Sequence, residues 1–405
     1  MMKKIMVGFL LITLSISLIA CGGDEEDNEG NETMSLHDIN LARARVYRDL
    51  VWDHYWDEDT LHLNHFYPDT GQAAFLWPYF STMGMNELAI RLFEDDESVM
   101  NTYHAFLDGL EYFKDVRTDG YTAYASARGV RGQGAGDVFF DDNGWVAKKF
   151  LYAYEETGEE WYLEETKAIY EYLVELGWSD LGGIFWAEGR NDWDALLRGL
   201  SATTPVVYIG AKLYDITNDA YYLEWAKKGL AFIDTLENPA NHVHWNAWTS
   251  EYVDGEIIAG DIQKVYWTYN SGFVITSLVA LYEITGDEDY LVRAKRTAEG
   301  AHNVFAVPYM AAGVNTYPST AWFNALLLQG FVKLYPYDKE NTAAYIDSFH
   351  ESLNYGWENH RDSEGFLPPD WTASWPNENP RDLLDQTGIA EMFMWLAIHY
   401  EMREE

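Results

Sequence analysis

A pair of helical segments recurs along the chain and constrains its fold more than any other feature. The clearest copies begin with FLYAYEETG at residues 150–158, AKLYDITN at 211–218 and ALYEITG at 280–286. In each copy an apolar segment ends at Gly or Asn, which suits a left-handed C-terminal cap. An amphipathic segment with an acidic start follows, as the positive end of a helix favours. The repeat therefore predicts helical hairpins with one buried and one half-exposed member.

Weaker copies bring the number of predicted helices to twelve. Apolar segments at 72–85, 319–335 and 386–400 resemble the clear copies, and a first amphipathic segment at 36–56 has no earlier partner. The six apolar helices are predicted to begin near residues 72, 142, 203, 270, 319 and 386. Six hairpins closed into a ring form an all-α (α/α)6 barrel, which predicts one domain over 36–405; an open superhelical array is the alternative. In a ring, the long connections before the apolar helices meet at one mouth.

The N-terminus is typical of an export signal. Lys3 and Lys4 precede an apolar run at residues 5–19 that is too short for a membrane-spanning helix. The run ends at Leu18-Ile19-Ala20-Cys21, which resembles a bacterial lipobox. The sequence thus predicts a signal peptide at 1–20, lipidation of Cys21 and a disordered acidic tether at 21–35. We expect a protein held by lipid in the bacterial cell envelope, at the outer membrane and facing the cell surface.

Composition excludes several classes of partner. The chain has 27 Lys and Arg against 66 Asp and Glu, a formal net charge of −39, which argues against nucleic acid and against an anionic polymer as substrate. The same charge argues against anionic lipid headgroups, so the lipid anchor is the one membrane contact that we expect. Cys21 is the single cysteine, which leaves no disulfide or zinc cluster within one chain. No segment indicates oligomerisation, and a monomer is expected.

Two histidine pairs are the candidates for a metal site. His62-x-x-His65 and His242-x-His244 have no third ligand at an ordered spacing. We interpret these four histidines as surface or loop residues, and we predict no metal and no cofactor.

One repeat differs from the others at the start of its apolar helix. Other copies carry neutral pairs that are good N-caps, namely Thr203-Thr204, Asn270-Ser271, Ser319-Thr320 and Gln386-Thr387. The second copy carries Asp141-Asp142 among Phe139, Phe140 and Trp145, after a glycine-rich loop at 129–136. Capping is the alternative explanation, because a helix N-terminus favours acidic residues. However, two adjacent carboxylates in an apolar setting resist ionisation together, which raises at least one pKa.

Two carboxyl groups with different pKa values are what glycoside hydrolysis requires. One attacks or stabilises the anomeric carbon, and the other protonates the leaving oxygen. Adjacent residues point apart on a regular helix, so we expect Asp141 and Asp142 at a bend before the helix or in its first turn. Carboxyl groups roughly 5 Å apart would indicate retention of configuration. The residues alone leave open which Asp has which role.

The chain resembles glycoside hydrolase family 76 over roughly residues 40–400. The matches, in family order, are Phe75-Leu76-Trp77-Pro78, Asp141-Asp142-Asn143-x-Trp145 with the helix and turn at 151–158, Gly182-Gly183-Ile184-Phe185-Trp186 and Trp267-Thr268-Tyr269-Asn270-x-Gly272. The resemblance implies an (α/α)6 barrel and a retaining endo-α-1,6-mannanase, with Asp141 as nucleophile and Asp142 as general acid/base. The chain departs from the family pattern at Val146, Ser271 and Arg198-Gly199.

Aromatic and amide side chains near the mouth are the candidates for sugar binding. Aromatic platforms and a few convergent polar groups are typical of such sites. We expect these roles for Trp77, Trp145, Trp186, Tyr269 and Asn270, with packing between helices as the alternative for each. Trp371 and Trp375 belong to a proline-rich loop at 367–380, which is a further candidate for the rim of the cleft.

The predicted substrate is a neutral polysaccharide, α-mannan. Three other functions remain open: a different (α/α)6 glycosidase, a transglycosidase, and a non-catalytic glycan-binding surface lipoprotein. A binding protein would not need two carboxylates clustered against aromatic residues, which favours an enzyme.

Overall fold

Twelve α-helices make up most of the part of the chain that the computed structural model describes, residues 34–94, 96–117, 119–189, 196–318, 320–374 and 380–404. They are α1 (Leu36–Tyr55), α2 (Leu76–Leu92), α3 (Glu97–Leu110), α4 (Phe140–Thr157), α5 (Glu160–Leu176), α6 (Leu200–Thr217), α7 (Ala220–Asp234), α8 (Thr268–Thr285), α9 (Glu288–Phe305), α10 (Ala321–Leu334), α11 (Lys339–Asn359) and α12 (Leu383–Glu404). The predicted signal peptide and Cys21 lie outside the described residues.

The six even-numbered helices form a closed inner ring. Each contacts the next in chain order, from α2 through α4, α6, α8 and α10 to α12, and α12 contacts α2. The odd-numbered helices pack outside, with α3, α5, α7, α9 and α11 each on the inner helix before it and α1 on α12. The predicted (α/α)6 barrel is therefore confirmed and the open array is wrong, because the first helix finds its partner in the last.

Burial follows the predicted division into apolar and amphipathic helices. Inner helix α8 buries nearly every residue from Thr268 to Leu281, whereas outer helix α9 buries one face. Gly158, Asn218 and Gly286 cap α4, α6 and α8 with φ angles of 71°, 55° and 67°, as predicted.

The inner helices begin two to four residues from the predicted positions, and most of the predicted N-caps are wrong. Thr320 does cap α10, since its hydroxyl oxygen accepts from the N–H of Phe323. Thr203 and Thr204 lie inside α6 and donate to the carbonyls of residues four positions earlier. Asn270, Ser271, Gln386 and Thr387 are likewise buried inside α8 and α12. Helices α6, α8 and α12 start two or three residues earlier than predicted, at Leu200, Thr268 and Leu383, so the predicted caps fall inside their first turns.

Short antiparallel strands occupy the connections that lead into the inner helices. Their bounds are β1 (Trp56–Asp57), β2 (His62–Leu63), β3 (Phe66–Tyr67), β4 (Lys114–Val116), β5 (Thr122–Tyr124), β6 (Ala127–Val130), β7 (Gln133–Ala135), β8 (Arg198–Gly199), β9 (Ala247–Val253), β10 (Glu256–Gln263), β11 (Val307–Tyr309), β12 (Val314–Thr316) and β13 (Arg381–Asp382). The sheet orders are β1-β2, β3-β13, β5-β4-β7-β6, β8-β9-β10 and β11-β12. The β3-β13 pair joins the connection before α2 to the one before α12, which closes the ring at its mouth.

Among the described residues, no helix combines the length and the apolar character needed to cross a membrane.

Candidate active site

A cleft of about 720 Å³ opens at the mouth of the barrel. The connections and the first turns of the inner helices supply its walls. Its aromatic lining comprises Phe75, Trp77, Phe80, Phe139, Trp145, Trp186, Tyr269, Phe273, Trp322 and Phe323. Its polar side chains are those of His65, Ser126, Asp137, Asp141, Asp142, Ser201, Asn246, Gln263 and Asp382.

The Asp pair lies in the first turn of α4, as predicted. Helix α4 begins at Phe140, and the side chains of Asp141 and Asp142 are partly exposed in the cleft. Asn143 is fully buried, and its Oδ1 accepts from the N–H of Tyr124 at 2.7 Å while its Nδ2 donates to the carbonyl of Tyr124 at 2.9 Å. These two bonds tie the start of α4 to β5 and so hold the Asp pair at the mouth.

The carboxylate of Asp141 accepts three hydrogen bonds. Its Oδ1 accepts from the backbone N–H of Asp142 at 3.0 Å, and its Oδ2 accepts from Trp186 Nε1 at 2.9 Å and from Ser201 Oγ at 3.2 Å. Donors of this kind stabilise the ionised form of a carboxyl group. Burial acts in the opposite direction and more strongly, so the pKa of Asp141 is raised to about 6, and the three donors keep it from rising further.

Asp142 experiences a different environment. Burial raises the pKa of Asp142 well above its ordinary value, and the negative charge of Asp141 raises it further. No hydrogen bond from a described residue counteracts that rise. The surroundings therefore favour the ionised form of Asp141 and the protonated form of Asp142.

Four of the five predicted sugar-binding residues line the cleft, namely Trp77, Trp145, Trp186 and Tyr269. Trp145 is almost fully buried against Phe273, with ring centroids 3.9 Å apart, and forms the floor. Trp77 is 37% exposed and stands at the rim. Trp186 has a role that was not predicted, because its indole N–H binds Asp141.

Asn270 is placed differently from the prediction. It is fully buried and is absent from the cleft lining, and its Nδ2 donates to Asn246 Oδ1 at 3.3 Å. Asn246 presents the amide to the cleft and also donates to Gln263 Oε1 at 2.6 Å. Asn270 therefore lies one layer behind the cleft surface and orients Asn246, a lining residue that the sequence analysis missed.

The candidate rim position of Trp371 is wrong. Trp371 is fully buried and donates to Ser352 Oγ, so it does not rim the cleft, and Trp375 lies outside the described residues. His65 and His244 both lie in connections between helices, in agreement with their interpretation as surface or loop residues. His65 lines the cleft, and His244 is buried, with a pKa lowered to about 4 by loss of solvent. Within the described residues, no group of three or more His, Cys, Asp or Glu side chains is arranged to hold a metal ion.

Comparison with known families identifies the scaffold. A sequence profile described as glycosyl hydrolase family 76 matches residues 38–354, well over half of the chain. This chain belongs to glycosyl hydrolase family 76. No curated protein sequence matches it significantly.

Solved structures of family 76 proteins share the fold. A family 76 glycoside hydrolase (mannosidase) from Bacteroides thetaiotaomicron VPI-5482 superposes with a TM-score of 0.80 at 24% identity, covering 91% of this chain and all of that one. An α-mannanase of the family from Bacteroides thetaiotaomicron gives a TM-score of 0.77 at 20% identity, covering 90% of this chain and 97% of the other. An α-1,6-mannanase from Salegentibacter sp. HEL1_6 gives 0.71 at 22% identity, covering 89% and 99%. That structure is of an inactive variant, with two consecutive aspartates replaced by asparagine, in complex with α-1,6-mannotriose.

The order of helices in the family 76 ring shows how the cleft is laid out. Asp141 and Asp142 stand at the start of α4, and Trp322 and Phe323 face them from α10, across the ring. Asn246 and Gln263 mark the end of the cleft near α6 and α8, whereas His65 and Asp382 mark the opposite end, where α12 meets α2. The carboxyl pair therefore lies between the two ends of the cleft.

The departures from the family pattern lie mainly behind the cleft surface. Val146 and Ser271 are fully buried and do not line the cleft. Arg198 is buried too, and donates to the carbonyls of Leu181 and Gly182 and to Ser250 Oγ, which fastens the loop before Trp186 to β9. These positions support the walls of the site from behind.

Proposed function

We propose that this chain is a retaining endo-α-1,6-mannanase in which Asp141 is the nucleophile and Asp142 the general acid/base. The observation that supports the assignment is the unequal environment of the pair. Asp141 accepts hydrogen bonds from Asp142 N–H, Trp186 and Ser201, whereas the pKa of Asp142 is raised by burial and by the neighbouring charge. A nucleophile must be ionised and a general acid must be protonated at the working pH.

The proposed reaction has two displacements. In the first, Asp142 gives its proton to the glycosidic oxygen while the Asp141 carboxylate attacks the anomeric carbon, and the carbon–oxygen bond to the leaving chain breaks. In the second, the Asp142 carboxylate takes a proton from water, whose oxygen displaces Asp141 from the anomeric carbon. Two inversions restore the α configuration and return both carboxyl groups to their starting states.

The lining of the cleft supports a neutral glycan as substrate. Besides the catalytic pair it carries the carboxyl groups of Asp137 and Asp382, and its described lining residues include no Lys or Arg. Such a lining disfavours uronic acids and phosphorylated sugars. The Salegentibacter α-1,6-mannanase variants were solved with α-1,6-mannotriose and α-1,6-mannotetraose, which directs the proposal to α-1,6-mannan. Endo action is supported by a cleft that continues on both sides of the pair.

The first experiment is hydrolysis of unbranched α-1,6-mannan by residues 34–405. We expect a ladder of short oligosaccharides, and a loss of about 10²–10⁴-fold in Asp142→Asn and at least as much in Asp141→Asn. Asp137→Asn is the matched control, a cleft carboxylate that is given no chemical role, and should lose less than about tenfold. Full activity in both pair variants would refute the assignment.

Reactions of the two Asp variants in the presence of azide, with an aryl α-1,6-mannooligosaccharide as substrate, distinguish the nucleophile from the general acid/base. An activated leaving group needs no proton, so Asp142→Asn should still form the glycosyl-enzyme, and azide should release an α-glycosyl azide. Asp141→Asn lacks the nucleophile, so azide should attack the anomeric carbon directly and give the β-glycosyl azide. If Asp141→Asn gave the α-glycosyl azide and Asp142→Asn the β-glycosyl azide, Asp142 would be the nucleophile and Asp141 the general acid/base.

The product pattern also separates the alternative functions. Products longer than the substrate would indicate a transglycosidase, and binding without any reducing ends would indicate a glycan-binding protein. Cleavage of another neutral glycan, with no cleavage of mannan, would support a glycosidase and show that the proposed substrate is wrong.

We further propose that Cys21 carries lipid and anchors a monomeric enzyme in the outer membrane, facing the cell surface. The lipobox-like Leu18-Ile19-Ala20-Cys21 and the acidic residues after it support this. Labelled palmitate should enter the wild-type protein but not Cys21→Ala, and protease added to intact cells should remove the protein. Protection of the protein in intact cells would place it on the periplasmic side.

A further inference from the structure

His65 and Asp382 form a polar pair at the end of the cleft where α12 meets α2. Both line the cleft, and His65 Nε2 lies 3.5 Å from Asp382 Oδ2. This distance is at the limit of a hydrogen bond, so the imidazole and the carboxylate retain capacity for other partners. Their side chains are 14% and 33% exposed, which leaves both groups accessible from the cleft.

The surrounding backbone holds this pair in position. Asp382 Oδ1 accepts from the N–H of Leu384 at 2.9 Å, which orients the carboxylate at the start of α12. The carbonyl of His65 accepts from the N–H of Leu383 at 2.9 Å, and the β3-β13 ladder lies directly beside both residues. The pair is therefore built into the closure of the ring and is not a chance meeting of two mobile side chains.

An exposed aromatic ring accompanies the pair. Phe75 lies edge-on to His65, with ring centroids 5.8 Å apart, and is 47% exposed. Among the described lining residues, Phe75 and Trp77 are the large apolar side chains most exposed to solvent. An apolar surface beside a hydrogen-bonding acceptor and donor matches a sugar ring, which has C–H faces and hydroxyl edges.

This polar end lies away from the catalytic pair. The junction of α12 with α2 faces the end that carries Asn246 and Gln263, and α4 stands between the two along the wall. A glycan that passes Asp141 and Asp142 and continues past α2 would bring a later sugar unit to His65 and Asp382.

We propose that His65, Asp382 and Phe75 form a distal subsite that binds one mannose unit of the chain, beyond the unit undergoing cleavage. Asp382 accepts from one sugar hydroxyl and His65 Nε2 donates to an adjacent one, while Phe75 packs on the ring. This inference rests on the proposed mannanase function. The subsite would make the enzyme bind longer mannan chains more tightly than short ones.

The test compares kcat and KM of His65→Phe with those of the wild type over α-1,6-mannooligosaccharides of increasing length. Phenylalanine keeps the ring packing and removes both nitrogens. We expect KM to rise about tenfold on substrates long enough to reach the subsite, with kcat changed less than twofold and the shortest cleaved substrate unaffected. His62→Ala, a histidine on β2 outside the cleft, is the matched control. Asp382→Asn, which keeps an acceptor for Leu384, should show the same dependence on length.

Two results would overturn the subsite: unchanged KM at every length, or an equal loss at every length, which indicates general damage. Calorimetry with α-1,6-mannotetraose separates this from a failure of the proposed function. If the wild type cleaves no mannan but binds the tetraose, weaker binding by His65→Phe still supports the subsite, and equal binding refutes it. No binding by the wild type refutes both proposals.

Discussion

Asp141 and Asp142 are chemically identical neighbours whose proton affinities differ because their surroundings differ. Both are desolvated, which raises the pKa of each. Asp141 has donors from α4, from α6 and from the loop that carries Trp186, whereas Asp142 has the charge of Asp141 beside it. The activity should therefore fall as the pH drops through about 6, where Asp141 becomes protonated.

Replacing Trp186 by Phe should move this acidic limb to higher pH. The substitution keeps an aromatic ring and removes the indole N–H that donates to Asp141 Oδ2. A hydrogen bond to a charged group contributes about 1.5 kcal/mol, so the limb of kcat/KM should shift upward by about one pH unit. The measurement is the pH profile of kcat/KM on mannan.

Ser201→Ala removes the other side-chain donor to Asp141 and should shift the limb in the same direction. Trp161→Phe, on the exposed side of α5, is the control and should leave the profile unchanged. A limb that stays in place in Trp186→Phe would mean that another group sets it.

At the scale of elements, the inner helices pack closely enough for single atoms to matter. A Cβ on Gly272 of α8 would lie 2.1 Å from the carbonyl oxygen of Leu326 on α10, and one on Gly330 would lie 3.0 Å from the Cα of Gly272. The crossing of α8 and α10 therefore requires Gly272, and it brings Tyr269 and Phe323 together at the cleft, with ring centroids 4.3 Å apart.

Gly272→Ala should lower the free energy of unfolding by about 3 kcal/mol, because the obstructing atom belongs to the backbone of α10. Ser271→Ala is the matched change one residue earlier. The Ser271 hydroxyl is buried with no hydrogen-bond partner among the described residues, so its removal should change stability by less than about 1 kcal/mol. Denaturant titration of both variants measures this difference in unfolding free energy. Equal stability of the two variants would show that α8 and α10 can separate freely.

Asp385 connects α12 to the start of α10 and should make stability depend on pH. Its Oδ1 accepts from the N–H of Ala321 at 2.9 Å, and burial raises its pKa to about 7. The folded state then binds a proton more tightly than the unfolded state, so this group's contribution to stability is largest at low pH and falls as the pH rises from about 4 to 7.

Asp385→Asn keeps the acceptor and removes the buried charge. At pH 8 the variant should be more stable than the wild type by up to about 4 kcal/mol, and the difference should vanish near pH 4. Unfolding free energies at several pH values provide the measurement. A difference that is constant with pH would mean that Asp385 does not titrate in this range.

At the scale of the whole molecule, stability depends on closure of the ring by its two ends. Helix α1 packs on α12, and the buried hydroxyl of Tyr47 donates to Gln386 Oε1 at 2.6 Å and accepts from the N–H of Leu367 at 2.8 Å. Open repeat arrays tolerate loss of a terminal repeat because each unit contacts its neighbours alone. A closed ring has no terminal unit.

Deletion of residues 1–55, which removes α1, should therefore abolish cooperative folding and activity. A protein that starts at Met34 keeps α1 and should match the full chain in both. Near-ultraviolet circular dichroism and thermal unfolding provide the measurement. A cooperative transition in the shorter protein would show that the ring tolerates an open seam.

Local sequence signals predicted the elements and the position of the Asp pair, and they failed where contacts cross the ring. The apolar and amphipathic periods, the caps at Gly158, Asn218 and Gly286 and the Asp pair were all visible locally. His65 and Asp382 stand near opposite ends of the chain, and no local pattern indicates that they meet. Asn270 was expected in the cleft because it follows Tyr269. Consecutive side chains on a helix point in different directions, so that of Asn270 is buried in the wall of the barrel.

The sequence by itself determined the alternation of buried and half-exposed helices, their number and the position of two carboxyl groups at a helix start. Periodicity and capping are properties of neighbouring residues, so they can be derived from the chain alone. The tertiary structure decided that α1 completes the last hairpin, that Trp186 and Ser201 reach Asp141, and that Asp142 has the higher proton affinity. These features depend on desolvation and on donors from distant segments, which exist only when the ring has closed.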